Sequence, residues 1–190
     1  MAYLTKRAMR ERGNRLLQEQ RQKFAKSERQ VLNEAIRFDP TTTYDVFLSH
    51  CSRDKPLVLG VKERLEEDGL LVYVDWIEDA DMDRTEVTTE NASRLRRRLR
   101  NCRSLLYLVT ENAVRSKWMP WELGYFDGLD KGLIGILPVL DDAEEQFDGI
   151  EFLGLYSTID VRQTKAGTRR FFVSRADGTS TSLRLIIRDS

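Results

Sequence analysis

Histidine and cysteine are scarce in this 190-residue chain: His50 is the sole histidine, and Cys51 and Cys102 are the only cysteines. Two cysteines without a CxxC spacing make no disulfide framework, and both read as reduced thiols of a cytosolic protein. Long apolar runs are missing too. The longest, Leu133 to Leu140, falls far short of the ~20 residues that a membrane-spanning helix needs. No apolar stretch follows the early Lys6, Arg7 and Arg10, so neither a secretory leader nor membrane association is expected, and the chain is read as cytoplasmic. An overall excess of charge is absent as well. The 31 Lys and Arg balance the 31 Asp and Glu, which argues against a dedicated nucleic-acid binder.

What is present suffices for a core. Hydrophobic residues make up 41% of the chain and charged residues 33%, a globular composition rather than a disordered one. The length suits one domain plus an appendage. The balanced total hides two uneven stretches. Residues 1–38 hold ten Lys/Arg against four Asp/Glu, a net of +6, whereas Asp75 to Glu90 holds seven acids against Arg84, a net of −6. Local fields can therefore act on a chain that is neutral overall.

Residues 5–37 lack proline, contain a single glycine and are rich in Arg, Gln, Glu, Leu and Ala, which predicts helix. Leu17, Phe24, Val31 and Phe38 recur every seven residues, but Gln20, Ser27 and Glu34 fill the other seam positions, a poor coiled coil. Val31, Leu32, Ala35 and Ile36 form the better apolar face, so the second half of this helix is expected to dock. The Asp39-Pro40-Thr41-Thr42-Thr43 segment then stops it. From Tyr44 the pattern changes. Buried strands are expected at 44–49, 70–74, 104–109, 133–140 and 158–161. Helices are expected at 55–68, 89–102, 118–129 and 180–188, the first of these ended by Gly69. Strands alternating with helices predict a parallel sheet covered on both faces. In a sheet of flavodoxin-like order, ligands sit beyond the carboxyl ends of strands one and three, which singles out the loops after Ser49 and Val109.

In those loops Ser49, His50, Ser52 and Arg53 supply donors suited to a phosphate-bearing ligand, although the same residues also make an ordinary turn. In Ser116-Lys117-Trp118-Met119-Pro120-Trp121-Glu122-Leu123, the restricted residue before proline places the helix start near Pro120. Glu122 then falls in the first turn. It either stabilises positive charge developing on a ribose or serves the helix dipole and its orphan amides. Trp118 and Trp121 are read as core or as a ligand platform. Two other features are set aside. Asp79, Asp81, Asp83 and Glu90 match a calcium-loop spacing, but Arg84 replaces the glycine that its sharp turn needs, so no metal is expected. Arg94, Arg96, Arg97, Arg98, Arg100 and Arg103 surround Leu95 and Leu99 and read as a solvated helix face rather than a nucleic-acid patch.

Tyr44-Asp45-Val46-Phe47-Leu48-Ser49-His50 resembles the first sequence box of Toll/interleukin-1 receptor (TIR) domains. The 116–123 segment resembles their glutamate-bearing helix, and Leu133 to Leu140 looks like the strand that follows. The resemblance implies a flavodoxin-like, doubly wound, parallel five-stranded α/β domain over residues 43–190, with residues 1–40 as an N-terminal helical extension and linker. It also implies cleavage of NAD+ between nicotinamide and ribose, with Glu122 catalytic and NAD+ as substrate rather than as a bound cofactor. Ser49, His50, Arg53 and Ser116 are then candidate substrate contacts, and Trp76 or Trp118 a stacking surface. Stand-alone bacterial members suggest a nucleotide signal in antiphage defence, a homo-oligomer built by TIR–TIR contacts, and a downstream effector activated by the product. The alternative is a non-catalytic scaffold acting through TIR–TIR assembly. Two departures bear on this: Met119 stands where many members carry cysteine, and the 75–84 loop lacks the usual Pro-Gly pair.

Overall fold

Strict alternation along two central strands divides the interior into two cores. In β2 (Tyr44–Ser49) and β4 (Cys102–Val109), Val46, Leu48, Leu106 and Leu108 point to one face. Phe47, Leu105, Tyr107 and Val109 point to the other. Both faces being apolar, these strands must lie in the middle of a sheet with helices on either side. The structure is a computed structural model that describes residues 2–28, 30–31, 39, 41–74, 88–145, 147, 151–175 and 177–189.

The remaining strands are β1 (Leu4–Thr5), β3 (Val72–Val74), β5 (Ile134–Leu140), β6 (Ser157–Gln163), β7 (Arg169–Ser174) and β8 (Ser180–Ser182). They form one mixed sheet in the order β3-β2-β4-β5-β6-β7-β8. Strands β3, β2, β4, β5 and β6 are parallel, the expected doubly wound arrangement with its switch point between β2 and β4. Beyond the five expected strands, β7 and β8 add an antiparallel edge, and β1 pairs in parallel with the end of β5 through Leu4↔Val139 and Thr5↔Leu140.

The helices are α1 (Lys6–Phe24), α2 (Lys55–Glu67), α3 (Thr89–Arg100), α4 (Trp118–Asp127) and α5 (Leu183–Asp189). Residues of α1, α2 and α5 bury themselves in one core and residues of α3 and α4 in the other. The expected helix from 180 begins only at Leu183, because Ser180–Ser182 pairs with β7 instead. The long N-terminal helix is also interrupted. It ends at Phe24, and Ala25 takes a left-handed φ of 50°. Ser27 then opens a new turn: its hydroxyl accepts from the Gln30 amide at 3.3 Å, and Gln30 Oε1 accepts from the Ser27 amide at 2.7 Å. That reciprocal pair is a capping box, which starts helices rather than continuing them.

Docking runs through the first half of the extension, where Leu4, Met9 and Leu17 are buried. Val31 packs against the same core, while Leu32, Ala35 and Ile36 lie outside the described residues. Contact between α1 and α2 is close enough to exclude side chains. A Cβ at Gly13 would lie 1.8 Å from the Pro56 carbonyl oxygen, and one at Gly60 would lie 2.1 Å from that of Met9. The arginine-rich face of α3 is not simply solvated. Arg96 lies over the Trp121 ring, Arg98 over Tyr73 and Arg100 over Tyr125, each cation within 6 Å of the ring centre. Among the described residues no helix is long and apolar enough to cross a membrane.

Candidate active site

Strand register brings the first two elements of the site together. Ser49, the last residue of β2, sits opposite Tyr107 in β4, on the face covered by α4. From α4, Glu122 reaches back to this point, and its Oε2 accepts a hydrogen bond from Ser49 Oγ at 2.5 Å. Helix α4 starts at Trp118, as the expected 118–129 helix has it and two residues before the start that the restriction at Met119 indicates, so Pro120 occupies the third helical position and Glu122 lies beyond the first turn. Proline is tolerated there because the first amides of a helix have no intrahelical acceptor. That start removes Glu122 from a capping role. Its carboxylate is instead a buried group, 5% exposed, held by a side chain from the neighbouring strand.

Burial and the neighbouring Glu122 charge push the Tyr107 phenol up to about 12. Tyr107 is therefore a neutral hydroxyl at any physiological pH, beside a carboxylate, at the base of the switch point.

The loops that leave this pair enclose a cleft of about 170 Å³, lined by Cys51, Ser52 and Arg53 from one loop and by Arg115, Ser116, Lys117 and Trp118 from the other, with Ser49, His50 and Glu122 outside its lining. Three of the candidate contacts, Arg53, Ser116 and Trp118, thus share one wall-to-wall space. Trp118 stands one helical turn before Glu122, so the two side chains project on the same face of α4. Ser116 has a structural duty as well, its hydroxyl accepting from the Met119 amide at 3.2 Å. His50 is buried, with Nδ1 2.8 Å from the Leu48 carbonyl oxygen, an arrangement that fixes the end of β2. Trp76 lies outside the described residues, as does the acidic stretch 75–87.

The two walls are tied together by Asp54. This carboxylate, 4% exposed, accepts from Thr110 Oγ1 at 2.6 Å and from Asn112 Nδ2 at 2.7 Å. Asp54 belongs to the loop after β2, and its donors to the loop after β4. A buried charge left without such donors would be strongly destabilising, so these bonds fix the spacing of the walls. Among the described residues no cluster of His, Cys, Asp and Glu could hold a metal ion.

A profile of the TIR domain family matches residues 46–172. The chain belongs to the TIR family. One relative, from Bacillus cereus (strain MSX-D12), is described as a probable 3′ cyclic ADP-D-ribose synthase ThsB′. It is 47% identical over 128 residues, which is 66% of this chain and 66% of that protein. Another, from Cytobacillus dafuensis, is described as a putative cyclic ADP-D-ribose synthase TIR2 and is 28% identical over 110 residues, 57% of this chain and 29% of that one. The match thus spans under two thirds of the length of either relative.

Within this TIR frame, sequence reasoning missed Tyr107, Asp54, Arg115 and Lys117. Tyr107 had a signal: it lies two residues before the end of a strand whose last residues were already expected at the switch point. Arg115 and Lys117 flank Ser116 and line the cleft only because both loops meet there.

Proposed function

We propose that this TIR protein cleaves NAD+ between nicotinamide and ribose, and that Glu122 is the catalytic carboxylate. The observation that carries the proposal is the buried Ser49–Glu122 pair at the switch point of the sheet, where the loops that follow β2 and precede α4 form a basic cleft. Arg53, Arg115 and Lys117 give that cleft three cationic groups, with no acidic side chain among the described residues of its lining, which suits a pyrophosphate. Its small volume takes part of a dinucleotide rather than all of it.

Bond breaking needs little from the protein besides electrostatics. As the C1′–N bond breaks, its electron pair returns to the pyridinium ring, and nicotinamide leaves as a neutral molecule without a general acid. Positive charge develops on the ribose, and a carboxylate fixed beside it is worth more in a dry site than in water. Ser49 holds Glu122 in place before that charge appears. Attack by water on C1′, with loss of a proton, gives ADP-ribose. Attack by a hydroxyl or ring nitrogen of the same molecule gives a cyclic isomer, the product class for which both relatives are described. That likeness supports a cyclic nucleotide signal, released to a separate effector in antiphage defence. Arg96 and Arg100, set over Trp121 and Tyr125 on the outer side of α4, support assembly of TIR domains through charged and aromatic surfaces.

The test is nicotinamide release from NAD+, with mass analysis of the product, for the wild type and Glu122→Ala at high protein concentration. Release that disappears in the variant supports the enzyme. Equal release in both removes Glu122 from the mechanism, and no release from an assembled wild type favours a scaffold acting through TIR–TIR contacts.

A further inference from the structure

Lys6 occupies the first position of α1 and is 8% exposed. A lysine there faces the positive end of its own helix, where cations are disfavoured, and burial adds to that cost. No acidic residue stands in the first turn to relieve it. Its compensation comes from two distant loops. Lys6 Nζ donates to Glu111, in the loop after β4, and to Asp141 Oδ2, just after β5, at 2.9 Å for the latter. Burial pulls the ammonium down in pKa, but these two carboxylates outweigh it and the net shift is upward.

Glu111 sits between Thr110 and Asn112, the two donors that hold Asp54 and so join the walls of the cleft. The short 3₁₀ turn that follows, Ala113–Arg115, leads directly to Ser116 and Trp118 on the cleft wall. The opposite wall is gripped by the same helix. Gly13 packs its backbone against Pro56, two residues beyond Asp54, with no room for a methyl group between them. A single N-terminal helix therefore touches the root of both cleft walls, by charge on one side and by backbone contact on the other. Strand β1 anchors its start beside β5.

We infer that Lys6 is a positioning residue of the active site: through Glu111 it sets the β4–α4 loop, and with it the cleft wall that leads to Glu122. The catalytic consequence rests on the NAD+-cleaving function proposed above, whereas the mechanical link does not. Lys6 touches no substrate. Its effect is to keep residues 110–118 at the spacing that the reaction needs, and displacements of an ångström in such frames cost up to about a hundredfold in rate.

The test uses the 190-residue protein with Lys6→Met, Lys6→Arg, Glu111→Gln and, as a control, Arg7→Met, an exposed residue paired among the described residues to Glu11 on its own helix. Two readouts are taken: steady-state nicotinamide release, and amide hydrogen exchange resolved over residues 110–117 and over α1. Lys6→Met and Glu111→Gln are expected to lower kcat about tenfold with a smaller change in KM. Both should speed exchange in 110–117 while α1 stays protected. Lys6→Arg restores both readouts, and Arg7→Met changes neither. Unchanged exchange at 110–117 in Lys6→Met and Glu111→Gln overturns the inference, as does faster exchange spread evenly over the chain. Locally faster exchange with kcat intact overturns the positioning role and leaves the proposed reaction standing. A wild type that releases no nicotinamide overturns the proposed reaction, and exchange at 110–117 then still decides whether Lys6 sets the loop.

Discussion

Replacing Ser49 with alanine tests whether the Ser49–Glu122 hydrogen bond has a catalytic purpose. Both side chains are buried, at 1% and 5% exposure, and their oxygens are 2.5 Å apart. Alanine fills the volume of the serine except for its hydroxyl, so the perturbation is the loss of one donor to a buried acid. Hydrogen bonds to charged groups contribute about 1.5–3 kcal/mol, and a buried acceptor deprived of its donor bears the desolvation cost in full. If that energy serves to hold Glu122 where positive charge develops, kcat for nicotinamide release falls by roughly 10- to 150-fold. If it serves only folding, the same energy appears as a Tm lowered by about 2–4 °C for each kcal/mol, with kcat preserved in the fraction that remains folded. Nicotinamide release and thermal unfolding measured on the same preparations separate the two outcomes. The double variant Ser49→Ala, Glu122→Gln completes the cycle: once the carboxylate is gone, loss of the serine should cost little more. Retention of kcat within twofold in Ser49→Ala, alongside an inactive Glu122→Gln, would refute the idea that this bond prepares the carboxylate for reaction.

Tyr107 offers a pH test. Its phenol is pushed from 10.0 up to about 12, so it contributes stability that is complete below pH 10 and is lost as pH rises through 12. Alkaline denaturation of Tyr107→Phe should therefore begin at higher pH than that of the wild type, with no difference near neutrality. A pair of glycine substitutions reads the helix packing. Gly13→Ala forces a methyl group against the Pro56 carbonyl and should cost about 1–3 kcal/mol by urea unfolding. Gly124→Ala meets nothing within 4 Å on α4 and should stabilise by about 0.5–1 kcal/mol.

The parallel core was legible because its signals are local and repeated. Short apolar runs between helical periods specify strands buried on both faces, and Val46, Leu48, Leu106 and Leu108 behave in that way. Edge elements were harder. In β7 only Phe171 and Val173 are fully buried, so its pattern is that of a half-exposed strand amid charged residues. The turn signals beside it were nonetheless present: Gly167 and the Asp177-Gly178 pair supply the positive φ, at 80° and 81° for the glycines, that tight reversals require. At the other end of the chain, Ser27 and Gln30 form a capping box that could have split the long helix after Phe24. Composition favoured helix on both sides of that break and so concealed it.

The candidate site divides along the same line between local and non-local information. Glu122 and Ser49 could be placed at one crevice because strand order and chain direction fix which ends of β2, β4 and α4 meet. What could not be read was the depth of burial. Glu122 in a first helical turn is a surface acid, whereas Glu122 beyond a first turn begun at Trp118 is enclosed by Ser49 and Tyr107, and only the second arrangement suits charge stabilisation in a dry site. The difference is two residues in a helix start, on which two local signals disagreed: the helical pattern over 118–129 had it right, and the restriction before proline pointed away from it. Helical backbone at Met119 is accepted here because its side chain is fully buried in the core between α4 and the sheet and its amide finds Ser116 Oγ. Tertiary packing and that hydrogen bond thus hold the residue before proline within the helix, and the resulting start leaves Glu122 enclosed beside Ser49.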